Sequence, residues 1–323
     1  MTALKPFPGV RPSSGVPLDV RSLLVPGPDK RFAQAGGTLR SMMADGSLVR
    51  DGDSFYVYEQ TRPDGRSRSG IVGVLETAGI RTLGTPASKA KSEGLAATED
   101  TGFQLEPVTC LSRDLKIPDG EQVMEFEGPD GTVHRLLKTP AGTEIDMGEV
   151  LAVDGIQHLA SDKAMAVVFR SEDSWIAPVH RTVDTGSISE KNALKAISKA
   201  MSLTEATPDG IREGAGRFGF VFKSGACYTA ECECEKPDAR LIQDAVLDGI
   251  YKSDEGKGRV SYHTDMEAVL VDMAEKKHDL AVIMRTPDLD ALWEASPKVP
   301  KNPAAFPPAV LSGMVIRPAR SSE

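Results

Sequence analysis

The chain has 323 residues, 40% of them hydrophobic and 26% charged, the proportions of a folded globular protein. Its 47 acidic residues outnumber the 38 Lys and Arg, and a net charge of −9 argues against broad binding to a phosphate backbone, which takes a concentrated positive surface. No apolar stretch reaches the ~18–20 residues that span a bilayer, and "MTALKPFPGVRP" lacks the apolar core of a signal peptide. A cytoplasmic protein that binds neither membrane nor nucleic acid is therefore expected.

The length suits one large domain over 1–323, or two lobes. In the second case a β-rich lobe fills 1–150 and a lobe alternating helix and strand fills 151–323. The first 35 or so residues are rich in Pro and Gly and should run extended. A short helix and a turn follow in "GTLRSMMADGSLVRDGD". Next, "SFYVYEQ" (54–60) and "SGIVGVLE" (69–76) are β-rich runs separated by Pro63-Asp64-Gly65, a hairpin signal. Arg62, Arg66 and Arg68 are the best candidate for a local basic patch, and they fall on that hairpin's tip.

Residues 81–101 are small and polar, a long loop or weak helix. Short strands are predicted at "EPVTCLS", "VMEFEG" and "VHRLLKT", the last two joined by "GPDGT" (128–132). The runs "EVLAVDG" and "AMAVVFR" are apolar enough for buried strands. Beyond them, Ser187 and Glu190 form a capping box before a helix with Leu194, Ile197 and Met201 on one face. "RFGFVFKSGACYTAECE" reads as a hairpin, and Pro237 as the first residue of the helix "DARLIQDAVLDGIY". Thr264 and Glu267 form a second capping box before "AVLVDMAEKK". The strand "LAVIM", the helix "PDLDALWEA" and the strand "SGMVIRP" complete the chain. Hairpins mixed with amphipathic helices, without a regular βαβ rhythm, predict a mixed α/β (α+β) fold with a mixed sheet.

Of four cysteines, Cys227, Cys232 and Cys234 lie close together. A structural zinc site takes four ligands, and no fourth is near, so no metal is expected. Alternation instead turns Ala230, Cys232 and Cys234 inward and Glu231, Glu233 and Glu235 to water. There is no phosphate-binding Gly-rich loop after a strand, no nucleophile elbow and no zinc-binding helix. Among five histidines, His134 falls in a strand, His278 near a helix end and His263 at a turn. His158 and His180 adjoin other reactive groups: Asp154 and His158 follow one strand, and His180 stands beside Arg181 after another.

The whole order of segments resembles the bacterial and archaeal proteins of domain of unknown function 1015. "FPGVRP", "GSLVRDGDSFYVYEQ" with "RSGIVGVLE", "WIAPVHRTV", "VSYHTDMEAVLVDMAEKKHDLAVIM" and "VPKNPAAFPPAVLSGMVI" are similar to its segments in sequence. The family carries Asp-Gly-His-His-Arg after an apolar strand, resembling the phosphate-contacting loop of the sulfiredoxin/ParB-like fold, which includes nucleotide-dependent free-serine kinases. "VDGIQHL" stands there in this chain: Asp154 and Gly155 match, and Ile156, Gln157 and His158 replace His-His-Arg. Three further polar segments are altered, to "VPGPDK", "LGT" (83–85) and "NPAAFPP".

The resemblance implies a sulfiredoxin/ParB-like core and ATP or ADP with Mg²⁺ as cofactor. On a phosphotransferase reading, Asp154 is the catalytic base or metal ligand, and His158, the second catalytic residue, contacts phosphate. Gly155, His180 and Arg181 then contact the substrate or its phosphate. On the alternative reading the altered polar positions mark a catalytically inactive relative, which binds, regulates or assembles with a small molecule or a protein partner. The oligomeric state is open in both.

Overall fold

The computed structural model of the chain describes residues 3–25, 31–84, 93–186, 188–250, 260–300 and 302–319. It divides into two compact units. The first comprises Met1–Thr82, Pro86–Ser174 and Pro308–Glu323, and the second Leu83–Thr85 and Trp175–Pro307.

The first unit opens with β1 (Leu4–Lys5), β2 (Val10–Pro12), α1 (Val20–Leu23), α2 (Ala33–Ala44) and β3 (Leu48–Arg50). The predicted hairpin follows as β4 (Ser54–Thr61) and β5 (Ser67–Glu76), its tip closed by Arg62 N–H on the Arg66 carbonyl. Next come β6 (Arg81–Thr82), α3 (Glu93–Thr101), β7 (Phe103–Gln104) and β8 (Val108–Ser112). The second hairpin is β9 (Glu121–Glu127) and β10 (Val133–Pro140), then β11 (Val150–Asp154) and β12 (Lys163–Arg170). The segment 81–101 is thus a two-residue strand and a helix, with 85–92 outside the described residues.

These strands form a nine-stranded sheet in the order β6-β11-β8-β12-β5-β4-β10-β9, with β1 also on β5. β6–β11 and β8–β12 are parallel pairs and the others antiparallel. The central strands are buried on both faces, as their near-continuous apolar runs require. Ile71, Leu75, Val108, Cys110, Ala152, Ala166 and Val168 make one core on this sheet.

The second unit carries β13 (His180–Val183), α4 (Glu190–Ile197), β14 (Ser202–Ala206), α5 (Pro208–Arg212), β15 (Phe218–Phe222) and β16 (Cys227–Glu231). It continues through α6 (Asp238–Ile242), a π-helical turn Gln243–Leu247 and α7 (Asp248–Ile250) to β17 (Val260–His263). α8 (Met266–Ala274), β18 (Leu280–Ile283) and α9 (Leu289–Ala295) complete it. Its sheet, β14-β16-β15-β18-β13-β17, is antiparallel throughout. Phe218, Phe220 and Phe222 face Ala193, Ile197, Ile242 and Val246 on one side. On the other, Val221, Ala281 and Ile283 meet Val269, Leu270 and Met273 of α8. The alternation within each strand therefore feeds two helical layers.

Both helix starts differ from expectation at the cap. α4 begins only at Glu190, with Ser189 as N-cap, and the Glu190 carboxylate accepts the Ser224 hydroxyl instead of closing a box; Ser187 lies outside the described residues. α8 is capped by Asp265, whose Oδ1 accepts the Ala268 N–H at 3.1 Å, one residue past Thr264. An aspartate caps as well as a threonine, so the neighbour whose backbone is extended there takes the role. The chain then re-enters the first unit, where Ile316 bridges Val10 and β19 (Arg317–Pro318) pairs with β7. The fold is the mixed α/β one that the sequence predicts.

Candidate functional site

β11 delivers Asp154 to the surface. Its pairing with β8 slips between Ala152 and Asp154, so a bulge at Val153 turns the carboxylate outward after three buried residues. Asp154 is exposed, and its Oδ1 accepts the N–H of Gly155 at 2.7 Å. Gly155 has φ +65° and ψ 16°, a left-handed conformation. A Cβ there would also stand 3.1 Å from the Pro107 carbonyl oxygen, so this turn needs glycine for two reasons.

The chain then winds through one 3₁₀ turn, Ile156–Ala160, closed by the His158 N–H on the Gly155 carbonyl. That turn rolls His158 inward: its side chain is buried, and Nε2 has no hydrogen-bond partner among the described residues. The ring lies on the first turn of α3, where a Cβ on Gly94 would stand 3.2 Å from both Nε2 and Cε1. Burial lowers its pKa, so the imidazole is neutral. Asp154 and His158 share one loop, but the first faces solvent and the second the interior.

His180 and Arg181 belong to the second unit, on β13. Successive residues of a strand face opposite ways, and these two do. His180 pairs with His263 across to β17, and its Nδ1 accepts the Met284 N–H at 3.1 Å. Burial first, then the charges of Arg285, Arg181 and His263, bring its pKa down to about 4. Arg181 donates from Nη1 to the Val179 carbonyl at 2.8 Å and from Nη2 to the Asn302 carbonyl at 3.4 Å, 5.6 Å from the Tyr262 ring centre. Both residues are 2% exposed. His263 is a strand residue rather than a turn residue, its Nε2 2.9 Å from the Thr182 hydroxyl.

One polar cluster escapes sequence reasoning. Arg62 and Arg66 sit at the hairpin tip with Asp64, as predicted, but Arg68 is 1% exposed. Its guanidinium lies 4.3 Å over the Phe169 ring, with Nε on Gln60 at 2.7 Å and Nη2 on the Pro308 carbonyl at 2.5 Å. Burial lowers its pKa to about 10. Gln60 in turn donates to the Ala309 carbonyl at 2.9 Å. The signal was strand phase: Arg68 lies in step with Gly70, Val72 and Val74, all turned inward on β5.

Cys227 belongs to the α8 side of its sheet, while Cys232 and Cys234 pack toward the phenylalanine side. Among the described residues no three His, Cys, Asp or Glu side chains are grouped to hold a metal ion. No helix of the described residues is long and apolar enough to cross a membrane.

Residues 21–154 match the model of the family described as "Protein of unknown function (DUF1015)", which bears out the resemblance over that span. No curated protein matches the sequence. Among solved structures, the chain is similar to a free serine kinase in complex with AMP, at 15% identity and a TM-score of 0.45, over 73% of this chain and 86% of that one. A conserved hypothetical protein from Pyrococcus furiosus is similar at 14% identity and a TM-score of 0.47, over 76% and 95%. SbnI with C-terminal truncation, from Staphylococcus aureus, is similar at 11% identity and 0.41, over 76% and 81%.

Proposed function

We propose that this chain is a non-catalytic relative of a kinase-like scaffold, acting by binding a small molecule or a protein partner rather than by phosphoryl transfer. One observation carries this reading: the groups that the family resemblance assigns to phosphate are engaged inside the fold. His158 is turned against α3, His180 holds the Met284 amide, and Arg181 serves two carbonyls. The Gly155 amide, which could face an anion, is taken by Asp154. Phosphoryl transfer works through charge positioned around the reacting oxygens, and a neutral buried histidine supplies none. Mg²⁺ takes carboxylate and phosphate oxygens, and here only Asp154 of the assigned residues offers an exposed carboxylate. ATP or ADP with Mg²⁺ therefore fits these residues poorly.

A second reading rests on Asp154. Its exposed carboxylate stands at a strand end, where it could take the proton of a substrate hydroxyl, so a small-molecule kinase is the alternative. The two separate in one experiment. The protein is incubated with ATP, Mg²⁺ and free serine or other small alcohols, and ADP and phosphorylated product are followed. The binding reading expects no product above the blank, and a thermal shift with any bound nucleotide that Asp154→Asn leaves unchanged. Turnover that Asp154→Asn abolishes overturns it in favour of the kinase.

A further inference from the structure

Beyond β16 the chain runs irregularly from Cys232 to Pro237 before α6 begins. Arg217, the residue before β15, holds this stretch along its length. Its Nη1 donates to the carbonyls of Cys232 at 2.8 Å and Cys234 at 2.9 Å, and its Nη2 to that of Lys236 at 2.9 Å. Its Nε donates to Asp238 Oδ1 at 2.7 Å, at the start of α6. The same Nη1 lies 3.9 Å from Cys234 Sγ.

Two residues apart, Cys232 and Cys234 turn to one side while Glu231, Glu233 and Glu235 are exposed. Both are half-buried and pack against the same phenylalanine side of the sheet. The other two cysteines differ in kind. Cys110 is wholly buried in β8, and Cys227 is buried with its thiol on the Gly225 carbonyl.

We propose that Cys232 and Cys234 form a redox-active dithiol that closes to a disulfide by exchange with a low-molecular-weight disulfide. Their two-residue spacing on one side of the chain, their partial exposure and the fixed cation beside one sulfur are what such exchange uses. Cys234 is the attacking member. Burial opposes its ionisation, yet the Cys232 thiol, the Lys236 N–H and the Arg217 charge outweigh it and bring its pKa below the ordinary value. The neighbouring Cys234 thiol, with burial, raises Cys232.

The chemistry balances without a further oxidant. The Cys234 thiolate attacks one sulfur of the small disulfide, whose S–S bond breaks and releases one thiolate, protonated by the proton that Cys234 gave up. Cys232 then loses its proton to solvent and attacks Cys234 Sγ, expelling the second small thiolate, which takes up a proton. Two protein thiols become one disulfide, and one small disulfide becomes two thiols. Arg217, which holds both carbonyls and Asp238, links the pair to the start of α6.

The test uses the full chain in mixtures of oxidised and reduced glutathione. Samples are acid-quenched and their free thiols alkylated; after digestion the peptide carrying both cysteines is weighed. The expected result is a loss of two hydrogens confined to Cys232 and Cys234 and reversed by reduced glutathione, with Cys110 and Cys227 still alkylated. Cys232→Ser should trap Cys234 as a glutathione adduct, and Arg217→Gln should slow that adduct severalfold. Two free thiols at excess oxidised glutathione in the unaltered protein overturn the proposal, as does a Cys234 adduct that Cys232 never resolves.

Discussion

The Tyr58 hydroxyl lies 2.6 Å from His134 Nδ1 and accepts the Leu311 N–H at 2.9 Å, joining β4, β10 and the returning C-terminal segment. Burial lowers the His134 pKa. With Arg68 and Gln60 on the Pro308 and Ala309 carbonyls, this chain of bonds holds residues 308–311 against the sheet.

Tyr58→Phe removes one oxygen and leaves buried His134 Nδ1 and the half-buried Leu311 N–H without this partner. A loss of about 1–3 kcal/mol is expected, the usual cost of an orphaned buried polar group. Urea unfolding measures it, and a midpoint equal to that of the parent protein would refute the role given to this hydroxyl.

Gly155→Ala should cost about 1–3 kcal/mol, because a side chain there is strained in the left-handed region and also meets the Pro107 carbonyl. Gly155→Asn relieves only the first of these, since asparagine tolerates that backbone but still carries a Cβ. It should therefore recover part of the loss and no more. Equal stability of Gly155→Asn and the parent would show that the contact with Pro107 is slack.

Asp154→Asn is expected to move stability by no more than about 0.5 kcal/mol, as for other exposed sites. The asparagine oxygen can still accept the Gly155 N–H. A larger loss, read by thermal melting, would make Asp154 a structural residue and remove the basis of the kinase alternative.

His134, His158 and His180 all have lowered pKa values, with burial the largest cause in each. An unfolded histidine takes up a proton near pH 6.5, while folded His180 waits until about 4. Between those values the unfolded state binds more protons, so stability rises with pH. It is full above about pH 6.5 and is lost as the pH falls toward 4, on the order of 3 kcal/mol for His180 alone. Urea midpoints at pH 7.5, 6.5 and 5.5 should fall in that order. His180→Asn, whose oxygen can still accept the Met284 N–H, should flatten the decline. Identical midpoints in the unaltered protein would contradict this account.

What the sequence determined by itself lies in near neighbours. Period-two apolar runs and the turn residues between them set β4–β5, β9–β10 and β15–β16, and apolar length set β11, β12 and β18. The same local rules placed Asp154 and Gly155 at a turn after a strand. Tertiary structure decided which way the chemistry faces. One bulge turned Asp154 out, one 3₁₀ turn rolled His158 in, and strand geometry parted His180 from Arg181. Arg68 reads as another charge at a hairpin tip until residues about 240 positions later supply its carbonyl. The physical reason is one of range. Backbone propensity is settled by adjacent residues, whereas the cost of burying a polar group is settled by whatever partner the distant chain brings to it.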